Sequence, residues 1–189
     1  MSPDQDPTLT LFILHGLAVS LRDRADTLGE RAEALLLAVE GAFAQQMRGD
    51  PIDLGELIAL AEAVMAELQT SHALGEKLRR GARALAKEAG LLITLPKLIA
   101  SERVLSALPT LSDAAATVRR AIPRARLTTL ARDLTEALGQ LALAASQRPV
   151  NEDDLLALRS VFARLDGLPQ ALSGARERLG AALAEIDGR

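Results

Sequence analysis

Residues 11–46 read LFILHGLAVSLRDRADTLGERAEALLLAVEGAFAQQ, and this stretch decides the fold. Within it Leu11, Leu14, Ala18, Leu21, Ala25, Leu28, Ala32, Leu35, Val39, Ala42 and Gln46 recur at alternating steps of three and four. That spacing sets all of them on one stripe of an α-helix. No proline interrupts the run, which at about 1.5 Å per residue is roughly 50 Å long. A helix of that length has to bury its stripe against something equally long. The first helix is therefore expected over residues 8–48, after a loose lead-in at 1–7.

Gly49-Asp50-Pro51 is a stop joined to a turn. Asp53 is placed to cap the next helix, with Glu56 at the capping-box position. A second stripe then reads Leu57, Ala61, Val64, Leu68, Ser71, Gly75, Leu78, Ala82, Leu85 and Ala89, again in steps of four and three. The short join predicts an antiparallel hairpin over 8–90, ending at Gly90, in which positions whose numbers sum to near 101 face each other. Small residues on the stripes (Ala25, Ala32, Ser71, Gly75, Ala82) favour close approach of the two backbones.

Residues 91–111 differ: two prolines and only three charges, Lys97, Glu102 and Arg103. They read as an apolar crossover. Thr110 and Asp113 resemble a cap for a second hairpin over 112–187. In that half the stripe reads Leu127, Ala131, Leu134, Leu138, Leu141, Ala145, after a break or bend at Pro123. Arg148-Pro149 stops it. Asn151 and Asp154 cap the next unit, which runs through Leu155, Leu158, Phe162 and Leu165. Asp166-Gly167-Leu168-Pro169 bends or splits that unit before Leu172, Ala175, Leu179, Ala182 and Ile186. The stretch 51–60 also resembles 149–158, which fits either a duplicated hairpin or convergence, since any capped turn into a leucine/alanine helix reads this way.

The fold class is accordingly all-α: one elongated antiparallel up-down-up-down four-helix bundle with a short helical crossover, made of two hairpins that are either related by duplication or alike by convergence. Composition agrees. The chain has 189 residues, 49% of them hydrophobic and 2% aromatic, so its core is leucine and alanine. Valine- and isoleucine-rich runs of period two are missing, which argues against sheet. Cysteine is absent, which excludes disulfides, thiolate metal sites and a cysteine nucleophile. The acidic start and the lack of a 20-residue apolar run predict a cytoplasmic protein with no transmembrane segment.

Charge is sorted along the chain. Residues 1–75 carry a net of −8, residues 76–132 a net of +8 and residues 133–189 a net of −3. One basic cluster is Lys77, Arg79, Arg80, Arg83 and Lys87; the other is Arg119, Arg120, Arg124 and Arg126, around Pro123. The plainer expectation is that acidic and basic helices lie side by side and neutralise each other. The sharper one is an anion-binding surface, made of Lys77, Arg79, Arg80 and Arg83 with the four arginines 119–126, for nucleic acid or another polyanion. Against the sharper one stand the acidic overall balance and the lack of aromatics among the arginines for stacking on bases.

No phosphate loop, dinucleotide fingerprint, nucleophile elbow or Glu-x-x-His ligand set is present, so no enzyme activity, small-molecule substrate, cofactor or metal is expected. The two histidines are His15 and His72. Ser71-His72-Ala73-Leu74-Gly75 resembles the motif of histidine phosphotransfer domains, which implies a phosphate-accepting His72 on a bundle helix. It departs from that motif in placing Gly75 one position early and in lacking the lysine. The first turns of the chain are apolar on every side, and Leu9, Phe12 and Ile13 with Leu92, Ile93, Leu98 and Ile99 are predicted to form an apolar contact surface. The function expected from these features is an interaction or scaffolding protein that binds a protein partner or forms a homodimer.

Overall fold

A computed structural model describes residues 7–92, 102–165 and 167–187, with side chains described at 12–87, 105–161, 163–165 and 167–187. The fold is an all-α helical bundle. Its elements are α1 (Pro7–Arg48), α2 (Leu54–Leu92), α3 (Glu102–Ala121), α4 (Arg124–Gln147), α5 (Glu152–Phe162) and α6 (Leu168–Asp187).

The long stripe is the core. Leu14, Ala18, Leu21, Ala25, Leu28, Ala32, Leu35, Val39 and Ala42 are all buried, and so are Leu57, Ala61, Val64, Leu68, Ser71, Leu78, Ala82 and Leu85 of α2. A repeat of three and four averages 3.5 residues, slightly short of the helical turn, so such stripes stay in register only when the helices wind gently round each other. The side chains of Leu11 and Ala89, at the far ends of the two stripes, lie outside the described set.

The turn between α1 and α2 is built as its residues dictate. Gly49 takes φ +77°, which a side chain would resist. Gly49 N–H then reaches Gln46 O at 3.0 Å and Asp50 N–H reaches Gln45 O at 2.9 Å, the paired bonds of a Schellman stop. Asp53 Oδ1 accepts from Glu56 N–H at 3.0 Å and starts α2. The facing register departs from the sum of 101. Arg31 meets Ala63 and Glu67, and a Cβ on Gly81 would collide with Leu14, so partners lie some three to seven residues earlier on α2. Extended residues advance about twice as far as helical ones. The non-helical link 50–53 therefore carries the chain back alongside α1 before α2 begins. Gly90 is not the stop either; α2 runs on to Leu92.

The chain divides into two compact units. Unit 1 comprises residues 1–26, 70–121 and 171–189, and draws on α1, α2, α3 and α6. Unit 2 comprises 27–69 and 122–170, and draws chiefly on α1, α2, α4 and α5. Both tight turns fall in unit 2, where Arg159 of α5 stands over the Phe43 ring of α1 at 5.4 Å. The second turn is closed by a capping box. Asp154 N–H donates to Asn151 Oδ1 and Asn151 N–H to Asp154 Oδ2, while Arg148 forks onto both Asp154 oxygens at 2.7 and 2.8 Å.

Two local expectations are corrected. Thr110 and Asp113 cap nothing: α3 already begins at Glu102 and passes through Pro109. The buried row Ala107, Leu108, Leu111, Ala114, Ala115, Val118, Ile122 explains this, because its spacing is continuous across the proline. Pro109 itself is exposed. Water is therefore at hand for the carbonyl that loses its donor, and one missing bond does not outweigh the buried row. In α4 the buried row is Leu127, Leu130, Leu134, Ala137 and Leu141 rather than the row through Ala131, Leu138 and Ala145. Both rows share Leu127, Leu134 and Leu141, and the one adopted puts Leu130 inside in place of Ala131. Pro123 breaks the chain rather than bending it, standing as an extended N-cap before α4.

Candidate functional site

The basic residues are the first candidates, and most of them are occupied within their own unit. In unit 1, Arg79 of α2 lies 2.9 Å from Glu76, and Arg119 of α3 reaches the other Glu76 oxygen at 3.6 Å. Arg79 is the less exposed of the two, and its hydrogen bond is the main reason the Glu76 carboxyl is held below the usual carboxylate range; the charges of Arg119 and His72 help, and burial works against it. Arg80 turns back to the Glu76 carbonyl at 3.3 Å. Arg120 pairs with Asp113 at 3.6 Å, and Arg178 of α6 joins the same carboxylate at 2.9 Å. In unit 2, Arg126 donates to the Arg164 carbonyl at 3.1 Å. Arg164 in turn holds Asp133 at 2.8 Å.

The eight cations named for an anion surface do not share one unit. Lys77, Arg79, Arg80, Arg83, Arg119 and Arg120 belong to unit 1, and Arg124 and Arg126 to unit 2. Lys77, Arg83 and Arg124 are exposed and have no ion pair among the described residues. Arg119 and Arg120 of α3 and Arg178 of α6 are thus paired with carboxylates, whereas in the α2 cluster only Arg79 has an ion pair among the described residues. A shallow cleft of about 270 Å³ lies beside Arg126 and Arg164, with Ala125, Thr129 and Leu130. Both of its guanidiniums are already spent on the Arg164 carbonyl and on Asp133.

His15 is half-buried, with Nε2 3.5 Å from Asp187 Oδ1 of α6. His72 is half-buried one turn before Glu76. Among the described residues no group of three or more His, Asp or Glu side chains is placed to hold a metal ion. No described helix is long and apolar enough to cross a membrane.

Of the predicted apolar surface, Phe12 is 75% exposed and Ile13 51%, while Leu14 beside them is buried. The side chains of Leu9 and Leu92, and residues Ile93, Leu98 and Ile99 entirely, lie outside the described set. A second group of exposed apolar side chains was not anticipated: Leu37 at 62% and Met47 at 77% on α1, with Leu143 on α4 and Leu156 on α5. The signal was present in the sequence. Leu37 sits in a run of three leucines, 35–37, of which the inward stripe needs only Leu35.

The chain matches no protein-family model, no curated protein and no solved structure. Its surfaces have to be read from their own chemistry.

Proposed function

We propose that this chain is a non-enzymatic interaction protein that binds another protein chain, a partner or a second copy, through outward-facing helix surfaces. The observation that carries this reading is the exposure of Leu37 and Met47 on a helix whose inward stripe is already complete. Leu37 gains nothing for the fold where it stands, since a leucine in water forgoes the roughly 2 kcal/mol its burial supplies. Isolated exposed leucines are common. Here the exposed residue shares its helix face with an ordered set of carboxylates, the pattern of a helix seam awaiting its other half.

The reading is tested by placing a photo-reactive side chain at position 37, 47 or, as a control, the exposed position 140, in the native cell extract. Discrete protein adducts at 37 and 47 with none at 140 are expected. Equal, diffuse labelling at all three positions removes the reading.

A further inference from the structure

The outward faces of α1 and α2 carry a second periodicity, distinct from the core stripes. On α1 within unit 2, Glu30, Glu33, Leu37, Glu40, Ala44 and Met47 recur at steps of three and four, and all six are exposed. Glu30, Glu33 and Glu40 have no ion pair among the described residues. On α2 within unit 1, Ala73, Lys77, Arg80, Ala84 and Lys87 recur at steps of four and three; Ala84 is half-buried and the other four are exposed. Lys77 and Lys87 have no ion pair among the described residues, and Arg80 touches only a carbonyl of its own helix.

A solvated helix face ordinarily mixes both signs of charge. Along these two stripes the signs do not mix, with the exposed Arg48 and the already paired Glu76 lying at their margins. One carries only carboxylates, with two large apolar side chains at seam positions. The other carries only cations, with two alanines at seam positions. The three carboxylates match the three cations in number and spacing, and in the register that sets Glu30, Glu33 and Glu40 against Lys77, Arg80 and Lys87, the small Ala84 leaves room for Leu37. We infer that a second copy of this chain docks its acidic α1 stripe (Glu30, Glu33, Leu37, Glu40) on the basic α2 stripe (Lys77, Arg80, Ala84, Lys87). This rests on the interaction reading above and names its partner. A net charge of only −3 leaves little long-range repulsion between copies. Since every copy carries one stripe of each sign, the contact joins unlike surfaces, and its product is a closed ring, the dimer being the smallest, or an open chain.

The test uses the full chain in sedimentation velocity over a concentration series, at about 0.05 M and about 0.5 M salt. Species larger than the 20.0 kDa monomer are expected at low salt, collapsing to monomer at high salt. Two triple variants probe the stripes separately, Glu30→Lys/Glu33→Lys/Glu40→Lys and Lys77→Glu/Arg80→Glu/Lys87→Glu. Each is expected to weaken self-association at least ~100-fold while keeping full helicity by circular dichroism, because every altered position is exposed. Mixing the two restores a one-to-one complex, since one now carries two basic stripes and the other two acidic ones. Wild-type monomer at every salt, association untouched by both variants, or no complex on mixing overturns the inference. A basic stripe that retains heparin while the chain stays monomeric assigns that stripe to a polyanion instead. If self-association fails but photo-adducts with another protein persist at position 37, the docking fails and the interaction reading stands. If both fail, both go.

Discussion

Arg31 of α1 reaches Glu67 of α2 at 3.1 Å, and while the guanidinium is 42% exposed the carboxylate side chain is only 8% exposed. The same nitrogen donates to the Ala63 carbonyl at 3.3 Å. The pair ties the two halves of the first hairpin across 36 positions of sequence. Removing the arginine takes one cation away from a nearly buried carboxylate, whereas removing both takes the buried charge away with it. Arg31→Met is therefore expected to destabilise the chain by about 2 kcal/mol, discounted for the solvent around the arginine, and adding Glu67→Met to recover most of that loss. Urea denaturation of the two single variants and the double variant measures the coupling; purely additive effects contradict it.

Leu28 and Leu37 lie on one helix and separate stability from binding. Leu28 is fully buried and Leu37 is 62% exposed. Leu28→Ala is expected to cost about 3 kcal/mol through lost burial and the cavity left behind. Leu37→Ala is expected to change stability by less than about 0.5 kcal/mol. Its effect is expected to fall on the proposed association and on photo-adduct yield. A large loss of stability from Leu37→Ala shows that this leucine serves the core.

The α4–α5 turn supplies a pH test. Asp154 is held below the usual carboxylate range, first by its hydrogen bonds from Arg148 and then by the Asn151 backbone N–H. A carboxyl whose folded value is depressed favours the folded chain when ionised. Its contribution is complete above the unfolded carboxylate range, near pH 4, and is lost as pH falls through the lower folded value. Glu76 and Asp133 are depressed as well, each chiefly by an arginine hydrogen bond, and obey the same sign. Asp154→Asn is expected to flatten the fall in melting temperature between about pH 5 and about pH 2 relative to wild type. Asn151→Ala is expected to cost about 1 kcal/mol at neutral pH. An unchanged acid limb in the Asp154 variant removes the turn from this account.

Two mid-helix glycines are expected to respond in opposite directions to the same change. A Cβ at Gly29 of α1 meets nothing within 4 Å, so Gly29→Ala gains about 1 kcal/mol of helix propensity. A Cβ at Gly81 of α2 collides with the end of the buried Leu14 side chain. Gly81→Ala has to displace that leucine, and the propensity gain is offset or reversed. Thermal denaturation of the two variants gives the comparison, and equal stabilisation by both shows that α1 and α2 are not in close contact at Leu14.

The inward stripes were legible because their information is local. Nine positions from Leu14 to Ala42 are buried at the spacing that the sequence announces. The turn at Gly49 and the caps at Asp53 and Asn151 were legible for the same reason, each being decided by three to five adjacent residues. The start of α3 was not. Pro109 and the Thr110–Asp113 pair are strong local signals, and the buried row from Ala107 to Ile122 overrode both. In α4 two rows of apolar residues were equally regular, and only packing chose between them. The outward acidic stripe was visible in the spacing but hidden by expectation, because glutamates on a helix surface ordinarily need no further reason.

What the sequence determined by itself is that this chain is helical, where its tight turns fall, and which residues of α1 and α2 face inward. Helical periodicity, caps and glycine stops act over a turn or two, and one chain displays them in full. Which charges meet was left to the tertiary structure. Arg31 finds Glu67, Arg119 finds Glu76 and Arg178 finds Asp113 across 36, 43 and 65 positions of sequence. An ion pair needs its partners within about 4 Å, and only the packing of whole helices brings such distant residues that close. The same packing decides which leucines are surplus to the core and stand in water, as Leu37 does.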